Sequence, residues 1–334
     1  MIVILNHGVT DEKRDQLINW FNSQGLGVDV SVGEFQTILG LIGDVSALDT
    51  DMIESLDIVQ VTRRVSEPYK RCNRKFHPDD TVIDIGNTKI GGGNFAIFAG
   101  PSSLESEEQV IEVAEGLKAA GADILMGGAV NPRATSYVIQ EQNLKEMELL
   151  KAAKKATGMP ICKELLSVED LPKYDDVDVL LIGERNMHNY PILAEVGSGD
   201  RPVIIKRSIS ATLEDLLMAV EYVMAGGNKN IILCERGIRT FSDYTKSTLD
   251  ISAIPLLKEL SHLPVIADAS RSTGLGRLSR PMSRAISAAG SDGLIIDVHN
   301  DPINATFNAA QAVSTGDFAK IAGEVRKIHE VVDK

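Results

Sequence analysis

RPVIIKRSISATLEDLLMAVEYVMAGGNKNIILCERGIR, residues 201–239, contains one complete beat of the fold. A short apolar run, PVIIK, is followed by LEDLLMAVEYVMAGG, whose apolar residues recur three and four positions apart, the spacing of one buried helical face. Two glycines close that stretch, as expected just past a helix end. A second apolar run, NIILCERG, follows. Strands that are apolar on both faces belong to parallel sheets covered by helices, so the stretch predicts a βαβ unit. Both strands end in charge, at Lys206–Arg207 and at Glu235–Arg236.

The same beat recurs on both sides. FAIFAG, DILMGGA, PICKELL, VDVLLIG, PVIIKRS, NIILCERG, PVIADAS and DGLIIDV read as strands, each followed by an amphipathic stretch such as EQVIEVAEGLKAAG or LKEMELLKAAKKATG. Eight such beats over residues 94–334 fit a closed (β/α)8 TIM barrel better than an open sheet. No glycine fingerprint of a dinucleotide site follows the first strand. Residues 1–66 differ. MIVIL, a helix from about Thr10 to Gln24, the strand pair GVDVSVG and TILGLIG, a helix beginning near Asp49 and the strand DIVQVTRR give the order βαββαβ of a small ferredoxin-like α+β domain. Residues 67–93 read as a connector whose runs TVIDI and Lys89–Ile90 form a hairpin.

The 334 residues carry a net charge of −13, which argues against a nucleic acid or an anionic membrane surface as partner. Aromatic residues make up only 4%, so the core rests on aliphatic side chains. Cys72, Cys162 and Cys234 show no CxxC spacing and are expected to be reduced and buried, consistent with a cytoplasmic protein. MIVILNHG does not resemble a signal peptide, and no apolar run reaches membrane-spanning length.

Chemistry in such barrels gathers at the C-terminal strand ends. Arg133, Lys163, Arg185, Lys206, Arg236 and Arg271 fall there, with Arg207 and Arg239 close by. Buried charge is costly unless paired, and guanidinium forks match phosphate and carboxylate oxygens. The pattern predicts a site for small phosphorylated or carboxylated metabolites. The alternative is a rim of ion pairs to Glu164, Glu184, Glu235 and Asp297.

GNKNIILCERGIRTF with TLDISAIPLLK, IGERNMHN, KRSISAT, LPVIADAS and AAGSDGLIIDVH closely resemble the 3-deoxy-7-phosphoheptulonate (DAHP) synthase family, type Iβ, across the whole barrel. The N-terminal domain is similar to the regulatory ferredoxin-like domain of some members. The resemblance implies condensation of phosphoenolpyruvate with erythrose 4-phosphate in the shikimate pathway, a divalent metal that polarises the aldehyde, and a homo-oligomer, dimer or tetramer. It places Arg185, Lys206 and Arg236 on phosphoenolpyruvate, Arg133 and Thr135 on the sugar phosphate, and Glu164 and Asp268 on acidic positions of the site.

The departures fall on the chemistry. The family's metal ligands are Cys, His, Glu and Asp; the matching positions here are Ser102, Arg271, Asp297 and Asn308. Met126 and Asn131 replace two basic residues of the phosphoenolpyruvate pocket. A fixed guanidinium repels a dication, and hydroxyl and amide oxygens are weak substitutes for thiolate and imidazole. The expectation is therefore no metal or other cofactor, an Arg271–Asp297 pair in the metal's place, and a diverged, metal-independent aldol-type condensation. A non-catalytic metabolite sensor or regulatory subunit is the first alternative, and an ordinary metal-dependent DAHP synthase the second. Lys163 is a candidate Schiff-base lysine, as is Lys206; the plainer role for Lys163 is an ion pair with its neighbours.

Overall fold

The structure, a computed structural model, describes residues 1–33, 36–128 and 136–332. It divides into two compact units, Met1–Asp80 with Glu259–His262, and Thr81–Lys258 with Leu263–Lys334.

In the first unit, β1 (Ile2–Leu5), α1 (Asp11–Ser23), β2 (Gly27–Val32), β3 (Thr37–Ile42), α2 (Thr50–Glu54) and β4 (Val59–Arg63) follow the predicted order. The four strands form an antiparallel sheet in the order β2-β3-β1-β4, the ferredoxin-like arrangement. Local chemistry starts both helices. The Thr10 hydroxyl accepts from Lys13 N, and the Asp49 carboxylate accepts from the amides of Asp51 and Met52. One sheet face packs Val3, Leu5, Leu39 and Leu41 against Leu17, Phe21 and Ile53 of the helices. On the other face the Phe76 ring rests on Gly40, where any Cβ would lie 2.1 Å from the ring.

In the second unit, β5 (Ile83–Ile85) and β6 (Thr88–Ile90) form the expected antiparallel hairpin. Eight parallel strands then close a barrel: β7 (Ala96–Gly100), β8 (Ile124–Met126), β9 (Ile161–Glu164), β10 (Val179–Ile182), β11 (Val203–Lys206), β12 (Ile231–Glu235), β13 (Val265–Asp268) and β14 (Gly293–His299). Neighbours pair in chain order, and β7–β14 and β13–β14 complete the circle. The barrel interior is apolar, with Phe98, Ile124, Leu181, Ile204, Ile232, Ile266 and Ile295 packed against Ile83, Ile85 and Ile90 of the hairpin. The hairpin thus packs into the barrel core, and the opposite, C-terminal strand ends are free for polar groups.

Six connections carry the expected helix: α3 (Glu107–Ala119), α4 (Ser136–Thr157), α5 (Tyr190–Gly197), α6 (Leu213–Ala225), α7 (Ala253–Leu260) and, after β14, α10 (Thr315–Val332). Two depart from one helix per beat. After β9 the chain makes only a 3-10 turn, Val168–Lys173, because Pro172 lacks the N–H that an α-helix needs and the segment has no apolar period. After β13, a five-residue helix, α8 (Ala269–Thr273), precedes the longer α9 (Gly276–Ala288). That short helix positions Arg271.

Candidate active site

The ends of β9, β11, β12, β13 and β14 carry polar groups that the barrel below cannot accommodate. Lys206, the last residue of β11, donates to Asp268 Oδ2 at 2.7 Å, with both side chains buried. The other oxygen of Asp268 caps α8, accepting from Ser270 N at 3.2 Å and Arg271 N at 2.8 Å. Burial would raise the Asp268 pKa, but Lys206 and Arg271 outweigh it and hold the carboxyl below its usual range. One carboxylate therefore anchors a lysine and sets the direction from which Arg271 enters the mouth.

A second group surrounds it. Arg236 Nη1 lies 2.7 Å from Glu184 Oε2, and Arg185 Nη2 lies 3.6 Å from Glu164 Oε1. Arg207 reaches Glu235 at 2.9 Å and Asp250 at 3.0 Å, and its Nε donates to Ala211 O. Arg207 is thus a buried strut, whereas Arg185 is largely exposed. Lys163 pairs with Glu146 of α4, both nearly sealed from water. That is the ion-pair role, and the sequence reading did not identify the partner. Glu164 sits against Gly183, where a Cβ would be 2.0 Å from Oε1.

The four departure positions do not all meet. Ser102 Oγ donates to Asp297 Oδ2 at 2.8 Å, and Gln311 Nε2 donates to the same oxygen. Arg271 and Met126 line a cavity of about 10 Å³ together with Ser102, Glu164 and Asp297. That volume is about one water molecule. Among the described residues Arg271 makes no ion pair with Asp297, and its Nε is buried without a partner. The direct Arg271–Asp297 pair expected from sequence is replaced by the Ser102–Asp297–Gln311 cluster, and Arg271 lines the same cavity as Ser102 and Asp297. Burial works against the Arg271 charge, yet Asp297, Asp268, Glu164 and Glu184 keep its pKa above the usual arginine value. Asn308 is not among the residues lining the cavity; it adopts a left-handed backbone with φ 58° and starts the turn that brings in Gln311. Asn131, Arg133 and Thr135 lie outside the described residues.

The donor set does not fit a divalent cation. It offers two carboxylates, Asp297 with one oxygen already accepting two hydrogen bonds and Glu164 beside Arg185, together with a serine hydroxyl and a permanent cation. A dication ~4 Å from a guanidinium meets ~8 kcal/mol of repulsion at an effective dielectric near ~20. No group of three or more His, Cys, Asp or Glu with metal-binding geometry exists among the described residues. All three cysteines are buried thiols. Cys162 lies in the barrel core, where burial pushes its thiol up to about 12. His299 is also turned away, its Nδ1 accepting from Asp301 N at 3.0 Å and its Nε2 3.0 Å from Gln109.

Three contributors were missed in the sequence. Lys246, in the loop after β12, sits among charges of the mouth. Partial burial, then Arg236 and Arg271, lower its pKa below the usual lysine range. Nothing in TKSTLD marked it. Gln311 gave no signal either. Glu146 did give one: Asn143, Glu146 and Leu150 recur at helical spacing on the buried face of α4, and a polar residue there requires a partner.

Comparison with known proteins gives consistent results. The model of the DAHP synthetase I family matches residues 75–334, and that of the DAHP synthase ferredoxin-like domain matches residues 1–67. A phospho-2-dehydro-3-deoxyheptonate aldolase of Thermotoga maritima is 41% identical over 99% of this chain and 98% of its own length. A 2-dehydro-3-deoxyphosphooctonate aldolase of Geobacter sp. is 28% identical over 75% of this chain and 98% of its own. The crystal structure of the Thermotoga maritima aldolase (DAHP synthase) superposes with a TM-score of 0.76, covering 99% of this chain and 97% of that one.

Proposed function

This chain belongs to the DAHP synthetase I family and carries the family's ferredoxin-like domain, and from that premise we propose that its barrel mouth joins an enolpyruvyl phosphate to an aldose phosphate. The observation that carries this reading is the linked set of charges at the strand ends: Lys206 on Asp268, Arg236 on Glu184, Arg185 beside Glu164, with Lys246 and Arg271 in the same field. A surface rim has no need to bury Lys206 and Arg236. A donor with one phosphate and one carboxylate supplies the anionic oxygens that such cations pair with.

In the reaction the enol carbon forms a bond to the aldehyde carbon, water adds to the donor's C2, and phosphate leaves. This chain's residues bind and orient. Arg236, Lys206 and Arg185 hold the donor, and Lys246 adds charge at the rim. Arg133 and Thr135 are assigned to the acceptor's phosphate on the strength of the sequence resemblance. Glu164, which lines the cavity with Arg271 and lies 3.6 Å from Arg185, is the carboxylate assigned to take or return a proton. The three buried thiols suit a reducing cytoplasm. No helix among the described residues is long and apolar enough to cross a membrane.

A second reading, a barrel that binds the donor as a sensor without turnover, is favoured by the narrow cavity between Arg271 and Asp297. Titration of phosphoenolpyruvate into wild-type and Arg236→Ala protein, with phosphate release measured on adding erythrose 4-phosphate, separates the readings. Binding with release supports the condensation, and binding without release supports the sensor. Absence of binding removes both.

A further inference from the structure

We infer that Arg271 holds the place a divalent cation takes in this family, so that the chain works without one and a guanidinium supplies the fixed positive charge at the acceptor's carbonyl oxygen. The inference rests on the proposed condensation for its chemistry, but its evidence is separate. Ser102 and Asp297 lie at two of the departure positions and are hydrogen-bonded to each other, so the serine proton occupies the space between them. Gln311 donates to the same Asp297 oxygen, which leaves Oδ2 committed to neutral donors. Arg271 lines the same cavity, and its buried Nε has no partner among the described residues. A buried N–H without an acceptor is an unmet hydrogen bond, and a ligand oxygen in the cavity would meet it.

The direction of the side chain is built in. Asp268 caps α8 and fixes the Arg271 backbone, while its other oxygen is held by Lys206. The guanidinium is thus presented on a rigid turn at the end of a barrel strand. During carbon–carbon bond formation the aldehyde oxygen gains negative charge as the enol carbon attacks, and it becomes the product hydroxyl by taking up the proton released when water adds at the donor's C2. A preorganised cation stabilises that charge with no proton transfer of its own. Arg271 stays protonated throughout.

The test uses the full-length protein and two metals, Mn²⁺ and Zn²⁺, added in excess, dialysed away and measured by elemental analysis. Wild-type protein is expected to retain neither metal in stoichiometric amount. Ser102→Cys adds a thiol beside Asp297 and keeps Arg271; it is expected to remain empty. Ser102→Cys with Arg271→Gln removes the repelling charge and is expected to bind Zn²⁺ at least about tenfold more tightly than Ser102→Cys alone. About one Mn²⁺ or Zn²⁺ per wild-type chain overturns the inference, whether or not the variants fold. So does equal Zn²⁺ affinity in the two variants, with far-ultraviolet circular dichroism showing both folded. A metal-free wild type that also fails to bind phosphoenolpyruvate removes the proposed condensation and leaves the metal result intact.

Discussion

Lys206 Nζ lies 2.7 Å from Asp268 Oδ2, with the two side chains 3% and 0% exposed. A pair this dry is expensive to break on one side, because the remaining charge has neither partner nor water. Lys206→Met is expected to cost about 3–5 kcal/mol of folding free energy in urea denaturation. Adding Asp268→Asn, which can still cap α8, should recover part of that loss. A single variant as stable as wild type would mean that water reaches the pair.

The anion site has a graded expectation. Arg236→Ala should weaken phosphoenolpyruvate binding by about 1.5–3 kcal/mol, the scale of a charge-assisted hydrogen bond. Arg284→Ala removes a surface pair with Glu324 and should leave binding unchanged. Isothermal titration of both variants checks this; equal affinities would show that Arg236 serves only Glu184.

Gly183 tests how tightly Glu164 is seated. Its φ of −66° suits any residue, so Gly183→Ala acts by steric contact alone, 2.0 Å from Glu164 Oε1. Displacing a buried carboxylate should cost about 1–3 kcal/mol of stability, the usual cost of overpacking, and weaken donor binding. Gly199→Ala, with nothing within 4 Å, is the neutral control. A fall in melting temperature for both, or for neither, contradicts the close fit.

His262 makes the first unit sensitive to acid. Burial above all, then the neighbouring His77 and Arg74, brings its pKa down to about 4, while its Nε2 lies 2.9 Å from Arg71 O. The unfolded chain takes up this proton near pH ~6.5 and the folded one only near pH 4. The unfolded state therefore binds more protons in that window. The stability contribution is full above about pH 6.5 and is lost as pH falls toward 4, by up to about 3 kcal/mol. His262→Gln should flatten the stability profile between those limits. An unchanged slope would assign the acid sensitivity to other groups.

Much of the architecture was legible because it is written in short-range patterns. Apolar runs such as VIIK and IILCE have only one kind of place in a soluble protein, between two helix layers, and their repetition closes the barrel. The charges of the site were legible for a related reason, since Lys206 and Arg236 follow directly on apolar strands. The repeat of the other beats does not show the missing helix after β9, which Pro172 breaks. Partners were less legible. That Asp297 would take Ser102 and Gln311 instead of Arg271 depends on where a loop returns after β14, and local sequence spacing does not encode that distance. Lys246 was hidden for the same reason, because loop residues carry no period from which a direction can be read.

The most direct test of the account is phosphate release from phosphoenolpyruvate and erythrose 4-phosphate, measured with the purified wild-type chain in excess chelator and again in excess Mn²⁺. Release at the same rate in both is expected, with Arg271→Gln slowing it by about a hundredfold or more, as loss of a preorganised oxyanion partner does. Release that requires Mn²⁺, or none in either condition, would contradict it.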